Sequence, residues 1–425
     1  MLNNHIFYYL SLCVFLLVSC TNINQEEKEG AIPTLNIEWG LQNLTKRNLS
    51  DFASNIRYVR LETTEHSLIG DPIRNIWLEE NKIFVHHSYG IPFLKVFDAY
   101  TGEHLHNIGR RGQGPEELTI LRYIDINVTH RRIILGGERV LKFDFEGNFL
   151  GSIALPELPD SFSTDVLRGN VVMLDKNLFS VGAFTLSYHQ HNAIYLFDRQ
   201  ANIVGALKSY DQLQRNGTRA FSPDQQVGFH YRFADQVYFF RGLSDTVFTF
   251  NPIKKEFEPH LVFNFGRHRE PRASISAAPG DTPQNPNLVS VRSGRISENE
   301  RYVFIDFSTL KASTEPFENY RFLSGVQRFF LDHSLYAIFD KQEREFQFLL
   351  QPIPGIRGIA NDIDGGIPFF PKLISSTGEM VDWHQAYKFI ELAERLPNPD
   401  EAFLQMVRSI DEDDNPIVII AAPLR

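Results

Sequence analysis

The chain has 425 residues, of which 43% are hydrophobic and 22% are charged, so it has enough apolar material for a large folded core. The formal net charge of -10 at pH 7 argues against a general nucleic-acid-binding protein, because binding to phosphates requires a basic surface. The length permits two or three domains, or one large all-β domain.

The first twenty residues predict export and lipid anchoring. An apolar run from Ile6 to Val18 is too short to span a bilayer comfortably and matches the apolar core of a signal peptide. It ends in Leu17-Val18-Ser19-Cys20, which resembles the lipobox of bacterial lipoproteins, in which the cysteine thiol is acylated after cleavage. We therefore predict a signal peptide over residues 1–19 and lipidation at Cys20. An ordinary secretory signal with a chance cysteine is the alternative.

Residues 20–40 predict a lipidated, flexible tether, because they include the charged run Gln25 to Glu29. An acidic run after the lipidated cysteine resembles the surface-export signal of Bacteroidetes lipoproteins, and a solvated spacer facing the periplasm is the alternative. We expect an outer-membrane lipoprotein on the periplasmic or cell-surface side. Cleavage before Cys20 removes Cys13 and acylation consumes the thiol of Cys20, so no thiol remains for a disulfide or a metal.

From about Asn55 onward, short β-rich runs alternate with turn residues. One hairpin recurs: an apolar pair, then Asp or Asn, a short polar turn, and apolar residues again. Asp or Asn suits the first corner because its side chain caps the amides of the turn, and Gly or Asn later in the turn tolerates a positive φ. The corner residues are Asp98, Asp144, Asp198, Asn251 and Asp340.

A second polar turn precedes each corner, and the units recur about every fifty residues, which indicates the four-stranded blades of a propeller. Five units are evident. The sixth is assembled from residues near 357–381 and the early strand Ile56 to Leu61, which closes the ring by joining the chain ends. Trp383 to Arg395 predicts a C-terminal helix, and Ile417 to Ala421 a final strand. We predict an all-β fold, a six-bladed β-propeller of four-stranded antiparallel blades with a short C-terminal helix, over residues 41–425.

Several segments support this prediction by resemblance: Ile56 to Thr64, Leu68 to Gly70, Val96 to Asp98, Ile108 to Glu117, and Asn361 to Gly366 followed by Pro368. Together they resemble the six-bladed β-propeller lipoproteins of Bacteroides-type bacteria. The resemblance covers nearly all of the mature chain and implies a propeller related to NHL-type propellers. It implies no activity, substrate or catalytic residue. The long stretch between the two turns of blade five departs from the pattern.

Propeller topology assigns each loop to one rim. With strands A to D counted outward from the axis, the A–B and C–D turns lie on one rim, and the B–C loops and D–A connectors lie on the other. The A–B and C–D turns of this chain are short, whereas the long segments fall in the other class. We therefore predict one loop-rich face around the channel mouth, where a ligand would bind.

That predicted face is basic although the protein is acidic. We expect an anionic or polyhydroxylated ligand there, such as an acidic glycan or a carboxylate-bearing peptide, held by guanidinium groups. The alternative is that the arginines pair with Glu116, Glu117, Asp224 and Glu270 and only stiffen the loops. The candidate ligand-binding residues are Arg110, Arg111, Gln113, Arg267, His268, Arg269 and Arg272, together with His86 and Tyr89.

Two histidine pairs and one acidic turn could bind metals. His86-His87 and His189-Gln-His191 are expected in B–C loops, but no spaced carboxylate or cysteine supports them, so polar loop histidines are favoured. Asp362 and Asp364 offer hard oxygen donors for Ca²⁺, yet lack the spacing and terminal Glu of an EF-hand. A turn capped by Asx side chains near the channel is favoured. We expect no cofactor, with Ca²⁺ as the alternative.

The sequence contains no G-x-S-x-G, H-E-x-x-H or phosphate-binding loop motif. We therefore predict a non-catalytic binding or scaffolding lipoprotein of the cell envelope. Its expected partners are the membrane, through the lipid anchor, and a glycan, a peptide or an envelope protein, but no nucleic acid. The alternative is a glycan-active envelope enzyme, a polysaccharide lyase or hydrolase, in which Arg110 neutralises a uronate and His86 or Tyr89 acts as base.

Overall fold

The computed structural model describes residues 31–70, 72–87, 93–158, 166–185, 192–208, 229–241, 244–269, 287–309, 316–323 and 326–424. Within these ranges most strands belong to six sheets, each built on four antiparallel strands and arranged in a ring as the blades of a β-propeller. The predicted all-β, six-bladed fold is confirmed. We number the blades 1 to 6 in chain order and letter their strands A to D from the channel outward.

Blades 1 to 4 are each built from four consecutive strands. Blade 1 consists of Ile73–Glu79, Lys82–His87, Leu94–Asp98 and His104–Ile108. Blade 2 consists of Tyr123–Asn127, Arg132–Gly136, Val140–Phe143 and Phe149–Ser152. Blade 3 consists of Val166–Met173, Leu178–Thr185, Asn192–Asp198 and Ile203–Lys208. Blade 4 consists of Phe229–Phe233, Gln236–Phe240, Thr246–Asn251 and Glu256–Asn264.

Blade 5 contains an insertion that explains its long interval in the sequence. Its strands A to D are Ser290–Glu298, Tyr302–Ser308, Leu335–Asp340 and Glu345–Phe348. The B–C loop carries an additional hairpin, formed by Phe317–Leu323 and Val326–Asp332, which among the described strands pair with each other and with no strand of the blade. The hairpin separates the two halves of the blade in sequence without adding to its sheet.

Blade 6 joins the two ends of the chain, as predicted. Its strands A to D are Leu373–Ile374, Met380–His384, Ile417–Pro423 and Ala53–Arg60. The last two pair in antiparallel register, with Ile56 opposite Ala421. Residues 357–381 provide only strands A and B rather than most of the blade, because the segment before Leu373 contains Pro368 and Pro371, which lack the backbone N–H that a central strand needs.

The fold begins before residue 40, where we predicted that the tether would end. Thr34–Asn36 pairs in parallel with the outermost strand of blade 4, and helix α1 (Ile37–Gln42) follows directly. Leu35 and Ile37 are fully buried, so the last part of the predicted tether is structural. Residues 1–30, including the signal peptide and Cys20, lie outside the described residues.

The chain then continues along the outer edges of blades 5 and 6. Thr45 forms a parallel bridge with Leu349, Asn48 forms one with Ala360, and the segment ends as strand D of blade 6. We call residues 34–60 the N-terminal belt. It covers the edges of three neighbouring blades, which otherwise present unpaired backbone groups.

Two helices lie in the B–C loop of blade 6. Helix α2 (Ala386–Glu394) confirms the predicted C-terminal helix, whereas helix α3 (Glu401–Arg408) was not predicted. Phe389 of α2 and Phe403 of α3 pack against Tyr58 of the belt, with ring centroids 5.7 and 5.5 Å from the tyrosine ring. No helix among the described residues is long and apolar enough to cross a membrane.

The C–D turns have the predicted caps. In blade 1, Oδ1 of Asp98 accepts hydrogen bonds from the backbone N–H groups of Tyr100 and Thr101, both at 2.8 Å. The equivalent side chains cap the other four turns, namely Asp144, Asp198, Asn251 and Asp340. A positive φ follows each corner, on Gly102, Gly147, Ala201, Lys255 and Arg344.

The core lies between the blades. Successive strand residues face opposite neighbours, so in blade 1 Ile83 and Val85 face blade 6 while Phe84 faces blade 2. Each large apolar side chain buried in this way contributes about 1.5–3 kcal/mol. The described A–B and C–D turns are short, and the long connections share the opposite end of the channel, which we call the loop-rich rim.

Candidate functional site

The innermost strands of alternate blades are interrupted near the loop-rich rim. Strand A loses register with strand B between Ile73 and Asn75 in blade 1, between Arg168 and Val171 in blade 3, and between Val291 and Ile296 in blade 5. In blades 2 and 4 the corresponding pairing is continuous. Such bulges re-aim side chains and are frequent beside binding sites.

The bulge in blade 5 leads into the main concentration of charged groups between blades. Ile296 packs towards blade 4, so by strand alternation Arg295 and Ser297 face blade 6, where Ser297 Oγ donates to the carbonyl of Pro371. A face that would normally be apolar is polar at this position. The residues that form it, which we call the blade 5–6 cluster, are Arg292, Arg295, Asp306, Asp332, Tyr336, Arg357, Lys372, Asp382 and His384.

The first half of the cluster centres on Arg357, from the connector between blades 5 and 6. Its Nη1 lies 3.0 Å from Oδ1 of Asp306, and its guanidinium group lies 4.1 Å from the ring centroid of Tyr336. Arg292 Nη1 lies 3.6 Å from Oδ2 of Asp332, and its Nε lies 3.9 Å from Oδ2 of Asp306. Both aspartates therefore already have cationic partners.

The second half centres on Asp382, a buried residue of strand B in blade 6. Lys372 Nζ lies 2.6 Å from Oδ1 of Asp382, and His384 Nε2 lies 3.4 Å from Oδ2. Burial alone would raise the pKa of Asp382, but the ammonium group of Lys372 holds it far below its usual value. Burial lowers the pKa of His384, so its ring is neutral at pH 7. Asp382 and Lys372 thus form an ionised pair.

Arg295 differs from the other charged members of the cluster. Its side chain is half-buried and forms no ion pair within the part of the chain that the structure describes. Its nearest aromatic contact is Trp383, whose ring centroid lies 6.0 Å from the guanidinium carbon. Arginine remains protonated at any physiological pH. The cluster therefore has one positive charge more than its three carboxylates neutralise.

Two other buried carboxylates of the propeller, Asp125 and Glu298, each have a cationic partner. Arg232 of blade 4 reaches Asp125 of blade 2, where its Nη2 lies 2.9 Å from both carboxylate oxygens and donates to the carbonyl of Met173 in blade 3. Glu298 of blade 5 lies 2.9 Å from Lys341 Nζ and accepts a hydrogen bond from Tyr231. These two carboxylates tie blades together, and both have a cation in contact.

The sequence-predicted arginines between blades 1 and 2 are surface residues. Arg110, Arg111 and Gln113 are exposed in the connector between these blades. Arg110 Nε lies 3.4 Å from Oε1 of Glu117, whose Oε2 accepts a hydrogen bond from the N–H of Gly114. For Arg110, this contact matches the alternative in which an arginine pairs with a neighbouring acid and stiffens the loop.

The second predicted set lies in the connector between blades 4 and 5, halfway round the ring from the first. Arg267 Nη2 lies 3.1 Å from Glu38 in the belt, and Arg269 Nη1 lies 2.7 Å from Asp245. His268 is buried and its Nδ1 bonds to the carbonyl of Asn287 at 2.9 Å. The structure does not bring the two sets together, because they belong to opposite connectors. Arg272 lies outside the described residues, as does Tyr89.

The histidine pair and the acidic turn also differ from expectation. His86 and His87 end strand B of blade 1 rather than lying in the following loop, because they continue its ladder, with His86 opposite Leu94. Burial lowers the pKa of His86 to about 4. His189 and His191 lie outside the described residues.

Asp362 and Asp364 are engaged with the belt. Asp362 accepts hydrogen bonds from the N–H and the hydroxyl of Ser50, and Asp364 accepts from Tyr58 and from Gly366 N–H. The turn therefore packs on the outermost strand of blade 6 rather than near the channel. No group of three or more His, Cys, Asp or Glu residues within the described ranges is arranged to hold a metal ion.

The sequence contained a signal for the cluster that we did not use. Asp306 lies within the apolar strand Tyr302–Ser308, and Asp382 lies within Met380–His384. A charged residue in the middle of an otherwise apolar inner strand is unusual, because burial requires a partner. That pattern would have drawn attention to blades 5 and 6.

Comparison with known proteins places the chain in a family. The family model described as a domain of unknown function, DUF4934, matches residues 32–422. The chain belongs to the DUF4934 family. This DUF4934 protein has no significant match among curated protein sequences.

Solved structures show the same architecture. A Bacteroides fragilis NCTC 9343 protein whose name predicts export matches this DUF4934 protein with 14% identity and a TM-score of 0.60, covering 93% of this chain and 100% of the other. A structure of U3-55K matches 87% of this chain and 99% of its own, at 13% identity and a TM-score of 0.40. A protein of unknown function from Bacteroides thetaiotaomicron VPI-5482 matches 86% of this chain and 76% of its own, at 10% identity and a TM-score of 0.38. The first match supports the propeller fold, and the other two are too distant to support a conclusion.

Proposed function

We propose that this DUF4934 protein is a binding or scaffolding module of the cell envelope, and that it captures an anionic ligand at the loop-rich rim. The ligand class is an acidic glycan or a carboxylate-bearing peptide. The propeller fold and the similarity to a protein whose name predicts export support the binding role and the envelope location. The kinship with NHL-type propellers remains a prediction.

The observation that carries the proposal is the unmatched charge of Arg295. A half-buried guanidinium group has lost part of its hydration, and here no carboxylate of the described chain replaces that hydration. A ligand carboxylate would do so with two parallel hydrogen bonds, the geometry that a guanidinium group favours. One such carboxylate neutralises the one surplus charge of the blade 5–6 cluster.

A binding role is better supported than the lyase alternative. A lyase needs a base that accepts a proton near neutral pH. Tyr336 is the phenol of the blade 5–6 cluster, and burial raises its pKa to about 12, so it stays protonated. His384 is neutral, and its Nε2 lies 3.4 Å from Oδ2 of Asp382 without a hydrogen bond to any described residue, but this nitrogen is buried and a ligand cannot reach it. Neither group of the cluster is available to remove a proton from a ligand.

The proposed location rests on the N-terminal sequence. Lipid on Cys20 would anchor the chain, and the residues between Cys20 and Thr34 would separate the propeller from the outer membrane. Mass spectrometry of the purified protein tests this part: the N-terminal peptide should begin at an acylated Cys20. A peptide that begins elsewhere, or an unmodified thiol, would contradict it.

The ligand is tested on arrays of neutral, uronate-containing and sulfated glycans and of acidic peptides, with the full mature protein in detergent. We expect binding to carboxylate-bearing members, and at least a tenfold loss for Arg295→Gln, which keeps a polar side chain but removes the charge. Arg110→Gln is the matched control and should bind like the wild type, because Arg110 is exposed and paired with Glu117. Equal binding by wild type and Arg295→Gln would contradict the proposal.

A further inference from the structure

A second group of buried cations and donors lies on the other side of blade 6, in the cleft between blades 6 and 1. In blade 1, Val85 of strand B is paired with Lys95 of strand C, and His87 lies two residues after Val85 on the same face of the sheet. Val85 belongs to the core that also contains Trp383 of blade 6, so His87 and Lys95 face this cleft. Both lie at the loop-rich end of their strands.

His87 has a hydrogen-bond donor without an acceptor. Its side chain is 5% exposed, and its Nδ1 accepts a hydrogen bond from the N–H of Gly70 at 3.2 Å. Burial, with the nearby charge of Lys95, lowers the pKa of His87 to about 4, so the ring is neutral at pH 7. A neutral ring whose Nδ1 accepts must carry its proton on Nε2. That buried Nε2–H has no partner in the described chain.

Lys95 has a charge without a counter-ion. It is also 5% exposed, and its Nζ donates to the backbone carbonyl of His66. Within the part of the chain that the structure describes, it forms no ion pair with any carboxylate. A buried ammonium group without an anion is costly, and burial accordingly lowers the pKa of Lys95. The cleft thus contains a cation without an anion beside a donor without an acceptor.

The remaining neighbours also favour an anion. Arg74, at the bulge of strand A opposite His86 and His87, is exposed and adds positive charge that contributes to lowering the pKa of His86. A metal ion would be disfavoured, since Lys95 and Arg74 repel cations and no described carboxylate accompanies the imidazole. An oxyanion would satisfy both unmatched groups at once.

We propose that the cleft between blades 6 and 1 is an anion-binding site, in which one oxyanion group accepts a hydrogen bond from His87 Nε2–H and pairs with Lys95 Nζ. Its occupant is a carboxylate or a sulfate group. The site does not depend on Arg295. If both sites are occupied by one molecule, that molecule carries at least two acidic groups spaced across blade 6.

The test uses sodium acetate and sodium sulfate as probes, added to the full mature protein at constant ionic strength against sodium chloride. The melting temperature of the wild type should rise saturably with at least one probe. His87→Phe and Lys95→Met should each weaken that effect at least tenfold. The matched control, His104→Phe on the outermost strand of the same blade, should keep the wild-type response. Arg295→Gln should also keep it, which separates this site from the proposed function.

Three results would overturn the inference. The first is a wild-type melting temperature that does not depend on either probe. The second is a response that survives in both His87→Phe and Lys95→Met, and the third is a response lost only in Arg295→Gln. Should His87→Phe fail to fold, the imidazole nitrogen resonances of the wild type decide the matter. Addition of the probe must shift the Nε2 signal of His87, and an unmoved signal would reject the site.

Discussion

Glu79 is predicted to make the stability of the propeller depend on pH. It ends strand A of blade 1 and is 8% exposed. Its carboxyl oxygens accept hydrogen bonds from the N–H and the hydroxyl of Ser376, in the A–B turn of blade 6. These bonds do not compensate for the lost hydration, so burial raises the pKa of Glu79 from 4.5 to about 7.

The sign follows from proton linkage. The folded state binds the proton of Glu79 more tightly than the unfolded chain does. The stability that protonated Glu79 contributes is therefore fully present below pH 4.5 and is lost as the pH rises through about 7. At 1.36 kcal/mol per pKa unit, this pKa shift corresponds to a loss of about 3 kcal/mol. Glu79→Gln removes the titration, while its amide can still accept from the Ser376 N–H and donate to the hydroxyl.

The assay is guanidinium denaturation of both proteins between pH 5 and pH 8. At pH 5 the two free energies of unfolding should be similar, and by pH 8 Glu79→Gln should be the more stable by about 2–3 kcal/mol. Glu103→Gln, an exposed position on the same blade, is the control and should show no such divergence. The reasoning fails if the difference in free energy of unfolding between Glu79→Gln and the wild type is the same at both pH values, because Glu79 would then already be ionised in the folded state at pH 5.

Two other predictions concern the strained turns and the buried ion pair. Ala201→Gly should raise the free energy of unfolding by about 1 kcal/mol, because Ala201 has a φ of 63°, where a Cβ is unfavourable; an unchanged or lower denaturation midpoint would refute this. Asp125→Ala should lower the free energy of unfolding by about 3–5 kcal/mol, since it leaves the half-buried Arg232 without its carboxylate and the Met173 N–H without an acceptor. Asp175→Ala in an exposed turn serves as its control, and a loss no larger than in that control would show that the pair is not holding blades 2, 3 and 4 together.

The blades could be predicted from the sequence because their signals are local. A corner such as Asp98 caps amides two and three residues away, and that pattern is visible in any short window. Ring closure through the strand near Ile56 followed from counting strands and from the exposure that an open ring would leave. The start of the belt was not predicted, because only the apolar residues Leu35 and Ile37 indicate structure there and an acidic run precedes them.

The blade 5–6 cluster could not be predicted in the same way. Its members come from strands, a connector and an inserted hairpin that are far apart in sequence, and only the packing of blade 5 on blade 6 brings them together. The loop arginines drew attention instead because their charge is obvious in the sequence. Whether Arg110 or Arg267 faces a ligand or an acidic neighbour depends on tertiary contacts with Glu117 and Glu38, which composition does not reveal.

The N-terminal belt has a mechanical consequence. Its C-terminal end, Ala53–Arg60, closes the ring by pairing with Ile417–Pro423. Its N-terminal end is held separately on blade 4, through the pairing of Thr34–Asn36 and the helix α1 that follows. Force applied to the N-terminus therefore acts on the parallel pairing on blade 4 before it reaches the pairing of strands C and D that closes the ring in blade 6. Helix α1 adds resistance to that force, because it packs against blade 5 with Gly40 in close contact with Phe346 and Phe348. The belt therefore protects the pairing of strands C and D in blade 6 from force that is applied at the N-terminus.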